Sequence, residues 1–145
     1  MVRHAVSGWK DGWYVVPYRV IFRDLDYFGH VNNAVYLTYF EIARTDLWLQ
    51  LIGGKEAGDV GFIVARAECD FRLQIGLEEI EIAVRIGEMR ETSFDFLYEI
   101  RKSDGRQIAA TGKVVVVYYD WKKQSKARIP DELRRHVQLL QSQEG

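Results

Sequence analysis

The chain has 145 residues, 48% hydrophobic and 28% charged, which suits one folded domain with a single core and excludes wholesale disorder. Twenty basic residues against 21 acidic ones give a formal net charge of −1, too balanced for a nucleic-acid or anionic-membrane surface. The lone Cys69 excludes an intramolecular disulfide and fits a reducing compartment.

The N-terminal MVRHAVSGWKDGW lacks the continuous apolar run of a signal peptide, and no stretch approaches the ~18 apolar residues of a membrane span. A cytoplasmic protein is expected. No repeat, low-complexity tract or linker divides residues 1–145, which read as one domain. Residues 15–24, VVPYRVIFRD, alternate Tyr18, Val20 and Phe22 with Arg19, Ile21 and Arg23. This predicts a strand, with Pro17 at its start or on an edge. From Asn33 to Leu51 the period changes: Tyr36, Tyr39, Phe40, Ala43, Leu47 and Leu51 recur at helical spacing. Val35, Leu37, Ile42, Trp48 and Leu49 widen that face, so the helix is expected to be buried by other elements. The Gly53–Gly54 pair is expected to end it.

Residues 62–119 then read as strands. FIVARAECDFRL (62–73) sets Ile63, Ala65, Ala67, Cys69, Phe71 and Leu73 on one face. EEIEIAVRIGE (78–88) alternates Ile80, Ile82, Val84 and Ile86 against mostly charged residues, and SFDFLYEIR (93–101) does the same with Phe94, Phe96, Tyr98 and Ile100. SDGR at 103–106 is a hairpin turn signal. QIAATGKVVVVYYDW (107–121) predicts a strand buried on both sides or paired across an interface. IPDELRRHVQLL (129–140) predicts a short terminal helix, with Pro130 in the first turn and Asp131 and Glu132 at the positive end of its dipole. One long helix without a second helical layer must be wrapped by a curved sheet. The fold class is therefore α+β, a central helix in an antiparallel sheet of about five strands.

Before the long helix stands DLDYFGHVNNAVY (24–36), which holds Asp24, Asp26, Gly29, His30, Asn32 and Asn33. One residue suffices for a helix cap, so the surplus points to chemistry. Asp24 reads as a turn residue, Asn32 and Asn33 as caps, and Glu41 with Arg44 as a local ion pair on the helix.

The stretch FRDLDYFGHVNNAVYLTYFEIART resembles the acyl-CoA thioesterases of the hotdog fold, in their 4-hydroxybenzoyl-CoA thioesterase-like group. The shared pattern is Asp24, Asp26 and Gly29 followed by Tyr36, Tyr39, Phe40, Glu41 and Arg44. Its HVNN run is also similar to that of the plant acyl-carrier-protein thioesterases, although the asparagine of that motif falls at Phe28 here. The SDGR turn and the IPDEL opening of the last helix extend the resemblance over nearly the whole chain.

The resemblance implies hydrolysis of an acyl-CoA or aroyl-CoA thioester without a metal or other cofactor. It implies Asp26 as the catalytic carboxylate, either nucleophile or general base. It makes His30 an active-site residue whose side chain orients water or holds Asp26, and assigns the backbone N–H near Asn33 to the thioester carbonyl. Phe28, Gly29, Tyr36 and Tyr39 are expected around the substrate, Glu68 at the position of a plant-type acid, and Arg90 near the nucleotide end of coenzyme A. The chemistry suits these residue types. Free N–H groups at a helix start stabilise an oxyanion, an aspartate is ionised at neutral pH, and a thiolate leaves without a dedicated acid. Cys69 has no partner base nearby in sequence and is not expected to act as a nucleophile. A homodimer or homotetramer is implied, with no nucleic-acid or membrane partner. The alternatives are a non-catalytic acyl-CoA-binding or regulatory hotdog protein and a hotdog dehydratase or hydratase.

Overall fold

Apolar residues at every second position from Glu79 to Asp120 build a sheet with one oily face, and the long apolar helix supplies what covers it. A computed structural model describes residues 6–52 and 60–143. In chain order these form β1 (Gly8–Lys10), β2 (Trp13–Arg19), a short 3-10 turn (Phe22–Asp24), α1 (Val35–Ile52), β3 (Val60–Phe71), β4 (Glu79–Met89), β5 (Ser93–Lys102), β6 (Ile108–Asp120), β7 (Ser125–Lys126) and α2 (Asp131–Gln143). The strands lie in the order β1-β2-β4-β5-β6-β3, with β7 on β6, and every pairing is antiparallel. The expected α+β hotdog arrangement is present, with the two short strands β1 and β7 added to five longer ones.

The inner sheet face and the helix share one core. Tyr36, Tyr39, Phe40, Ala43, Leu47, Trp48 and Leu51 of α1 are buried against Ile82, Val84, Phe94, Phe96, Tyr98 and Val114. The Phe40 ring stacks on Tyr98 at 4.2 Å between centroids. It lies over Gly112, the register partner of Tyr98 on β6, where no side chain stands in its way. The core-facing stripe is narrower than expected, because Leu37 and Leu49 remain 44% and 56% exposed. The Gly53–Gly54 stop lies outside the described residues.

Three further expectations change. The first long strand ends at Arg19, not Asp24, because the chain turns into the 3-10 segment; the Asp24 carboxylate accepts the Ile21 N–H there at 3.4 Å. Phe22, expected on the apolar face of a strand, is left exposed. On β3 a bulge between Val64 and Arg66 breaks the single alternating face, so Ile63 and Val64 are both exposed. This strand pairs only with β6 among the described residues, leaving its outer edge open. On β6 the valines alternate: Val114 and Val116 are buried, Val115 and Val117 half-buried.

The turns carry their own chemistry. Asp11 and Gly12 both adopt positive φ, 52° and 81°, and make the tight β1–β2 hairpin. In the SDGR turn the Asp104 carboxylate accepts the Arg106 and Gln107 N–H groups at 2.8 and 3.1 Å. Helix α2 runs to Gln143, so Arg134, Arg135 and His136 fall mid-helix. Its Gln141 amide reads both backbone groups of Ile86, accepting the N–H at 2.6 Å and donating to the carbonyl at 3.0 Å. This happens where β4 bulges away from β5, between Ile86 and Met89.

Candidate active site

The loop from Asp24 to Asn33 folds on itself before entering α1. Leu25 and Val31 form a bridge at its neck, and the Asp26 N–H donates to the His30 carbonyl at 2.7 Å. Gly29 takes φ +82°, a conformation that suits glycine, and its N–H returns to the Asp26 carbonyl at 3.1 Å. The Asp26 carboxylate closes the ring. Its Oδ1 accepts the main-chain N–H groups of Phe28 at 2.9 Å and His30 at 3.3 Å. Oδ2 makes no hydrogen bond to another described residue. His30 thus holds Asp26 through its backbone, not its imidazole.

Asn32 caps the helix that follows. Its side-chain oxygen accepts the Ala34 N–H at 3.0 Å, and its carbonyl accepts that of Val35 at 2.9 Å. The Asn33 N–H makes no hydrogen bond to another described residue. A pocket of about 470 Å³ opens between this loop and the chain leaving β3. Asp26, Phe28, His30, Val31, Asn33 and Tyr36 line one side, and Phe71, Arg72, Leu73 and Gln74 the other.

The second wall is pinned from behind. The Arg72 and Leu73 N–H groups donate to the Ala109 carbonyl at 2.8 and 3.0 Å, and the Val31 N–H joins the two walls through the Ile75 carbonyl at 2.7 Å. The Lys102 ammonium donates to the Gln74 carbonyl at 2.6 Å and to Glu78 at 3.0 Å. Burial works to raise the Glu78 carboxyl, but the Gly76 N–H and Lys102 outweigh it and hold its pKa below the ordinary value. Tyr36 meets Phe71 edge-on at 4.8 Å, and burial, then Cys69 and Glu78, raise its phenol. Among the described residues no three His, Cys, Asp or Glu side chains are placed to share a metal ion.

The profile of the thioesterase-like superfamily matches residues 20–137, spanning the loop, α1 and strands β3 to β7. The chain belongs to that superfamily. A thioesterase from Thermus thermophilus, whose structure is complexed with coenzyme A and Zn, is 34% identical to it. The match covers 90% of this chain and 95% of that one, with a TM-score of 0.77. The uncharacterised Bacillus subtilis (strain 168) protein YsmA is 31% identical over 99 residues, 68% of this chain and 67% of its own. A thioesterase-superfamily structure from Jannaschia sp. CCS1 superposes with a TM-score of 0.81 over 90% of this chain and 84% of that one; at 24% identity it bears on the fold alone.

Within this thioesterase-like chain, six of the nine residues picked out in the sequence converge on the loop and pocket: Asp26, Phe28, Gly29, His30, Asn33 and Tyr36. Three lie elsewhere. Tyr39 is fully buried, and its hydroxyl donates to Asp24 Oδ2 at 2.7 Å. Glu68 is exposed on β3 opposite Lys113. Arg90 sits one residue past the end of β4 and does not line the pocket. Its guanidinium is taken by Asp95, by Glu88 at 3.1 Å and by Ser93 at 2.8 Å. Burial, then Asp70, pushes the Cys69 thiol up to about 11, so it stays protonated at neutral pH. The second wall, Phe71 to Gln74, escaped the sequence reading. Its residues carry no motif, and contacts remote in sequence, to Ala109 and between Val31 and Ile75, hold them opposite the loop.

Proposed function

We propose that this thioesterase-like chain hydrolyses an acyl-CoA or aroyl-CoA thioester to the free acid and coenzyme A, as a member of the 4-hydroxybenzoyl-CoA thioesterase-like group. The observation that carries this reading is Asp26. Two backbone N–H groups fix one of its carboxylate oxygens and leave the other with no hydrogen bond to another described residue, in a pocket at the start of α1. That oxygen attacks the thioester carbon, giving an anhydride that water opens, or it takes a proton from the water that attacks. Either way the C–S bond breaks, coenzyme A leaves as a thiolate that picks up a proton, and water supplies the second oxygen of the acid. The Asn33 N–H, aided by the positive end of α1, stabilises the oxyanion, a contribution of about 3 kcal/mol for one such donor. Phe28, Tyr36, Phe71 and Leu73 enclose the acyl group. The coenzyme A on the Thermus thermophilus relative supports the choice of ester.

A panel of CoA esters varying in chain length and ring content tests the reading through release of free thiol. Turnover of at least one ester is expected. Calorimetric binding of CoA esters without any thiol release would replace it with the non-catalytic acyl-CoA-binding reading.

The open edge of β3 fits a second copy of the chain, giving a homodimer or a tetramer of such dimers. Exposed Ile63, Val64 and Phe71 accompany a row of backbone donors and acceptors that pairs with no strand among the described residues, a combination that soluble proteins rarely leave bare. Light scattering at micromolar concentration is expected to report at least twice the monomer mass of 16.9 kDa; a monomer mass would contradict this.

A further inference from the structure

The loop that carries Asp26 is fastened to the core by a bond no step of the hydrolysis uses. Tyr39 projects from the middle of α1, fully buried, with its ring 5.0 Å from Tyr18 and 6.3 Å from Tyr36. Its hydroxyl donates to Asp24 Oδ2 at 2.7 Å. A phenol at such depth needs an acceptor, and an ionised carboxylate is a strong one. Asp24 in turn stands at the root of the loop: its carbonyl accepts the Asn32 N–H at 2.9 Å. One residue therefore joins the incoming chain, the outgoing chain and the helix. Asp26 lies two residues past this joint, and Asn33 one residue beyond Asn32.

We propose that Tyr39, acting through Asp24, is a positioning residue that sets Asp26 and the Asn33 N–H in register with each other across the pocket. This rests on the reading of Asp26 given above. The bond touches neither substrate nor reacting atoms. It fixes the angle at which the loop leaves the core, and both reacting groups inherit that angle. Reacting geometry is unforgiving, and small displacements that originate away from the chemistry cost large factors in rate. Binding of the acyl and CoA portions, spread over Phe28, Tyr36 and the Phe71–Gln74 wall, is affected far less.

The test is steady-state thiol release from the best ester of the panel, with Asp26→Asn as the reference for the reaction itself. Tyr39→Phe removes only the hydroxyl and keeps the ring packed. It is expected to lower kcat about 10- to 100-fold with KM within about twofold of the parent. Asp24→Ala, which also removes the acceptor of the Ile21 N–H, is expected to lose at least as much, and the double variant to be no slower than Asp24→Ala, since the Tyr39–Asp24 bond is already absent from it. Asp24→Asn retains an oxygen acceptor and is expected to recover most of the lost kcat. Parental kcat in Tyr39→Phe, or losses that multiply in the double variant, would overturn the proposal. Should Tyr39→Phe fail to fold, the comparison of Asp24→Ala with Asp24→Asn decides, and equal activities of those two overturn it. An inactive Asp26→Asn beside a fully active Tyr39→Phe removes only the positioning role, whereas a fully active Asp26→Asn removes both readings.

Discussion

Asp26→Asn is expected to lower kcat for thioester hydrolysis by about 10³-fold or more, the range for removal of an essential base or nucleophile. The substitution is well controlled by the geometry. The amide oxygen of an asparagine can still accept the Phe28 and His30 N–H groups that hold Oδ1 at 2.9 and 3.3 Å. Only the charge and the unbonded oxygen are lost. Because Asp26 is exposed, circular dichroism and the melting temperature should match those of the parent. Asp26→Ala would be a poorer experiment, since it also frees two backbone donors and loosens the loop. Parental thiol release from a folded Asp26→Asn protein would move the chemistry to another group.

Gly112→Ala is expected to destabilise the fold by about 3 kcal/mol, the upper end of the usual cost of overpacking a core. A Cβ at this position would lie 2.3 and 2.4 Å from two carbons of the Phe40 ring. The ring cannot retreat, because it is fully buried and already stacked on Tyr98. The Glu68 carbonyl of the neighbouring strand β3 crowds the same point at 3.1 Å. A fall in the urea midpoint with an unchanged slope is the expected signature. An unchanged midpoint would show that the helix is not seated this closely on the sheet.

Much of this was legible because the patterns are long. Alternation over β4 and β5 and helical spacing from Tyr36 to Leu51 each repeat enough times to identify an element, and each buried face emerged as the pattern implied. The loop around Asp26 was legible for a different reason: glycine, asparagine and aspartate are informative about backbone shape even in short runs. The failures share a cause. Phe22 and Ile63 carry strand-like signals that a 3-10 turn and a bulge override. Arg72 and Gln74 line the pocket through contacts with Ala109 and Lys102, residues far apart from them in the chain. Spacing puts Tyr39 on the buried face of the helix, where it is found; the resemblance puts it at the substrate, yet one helical turn from Tyr36 its hydroxyl goes to Asp24.

The Gln141 contact has a consequence for how the molecule breathes. The Ile86 amide proton is held by a side chain 55 residues away in sequence, and not by the neighbouring strand. Its exchange with solvent therefore requires only that the terminal helix lift away, leaving the sheet paired. A single amide in the middle of the sheet thus records the undocking of the last helix, a smaller and more frequent opening than global unfolding.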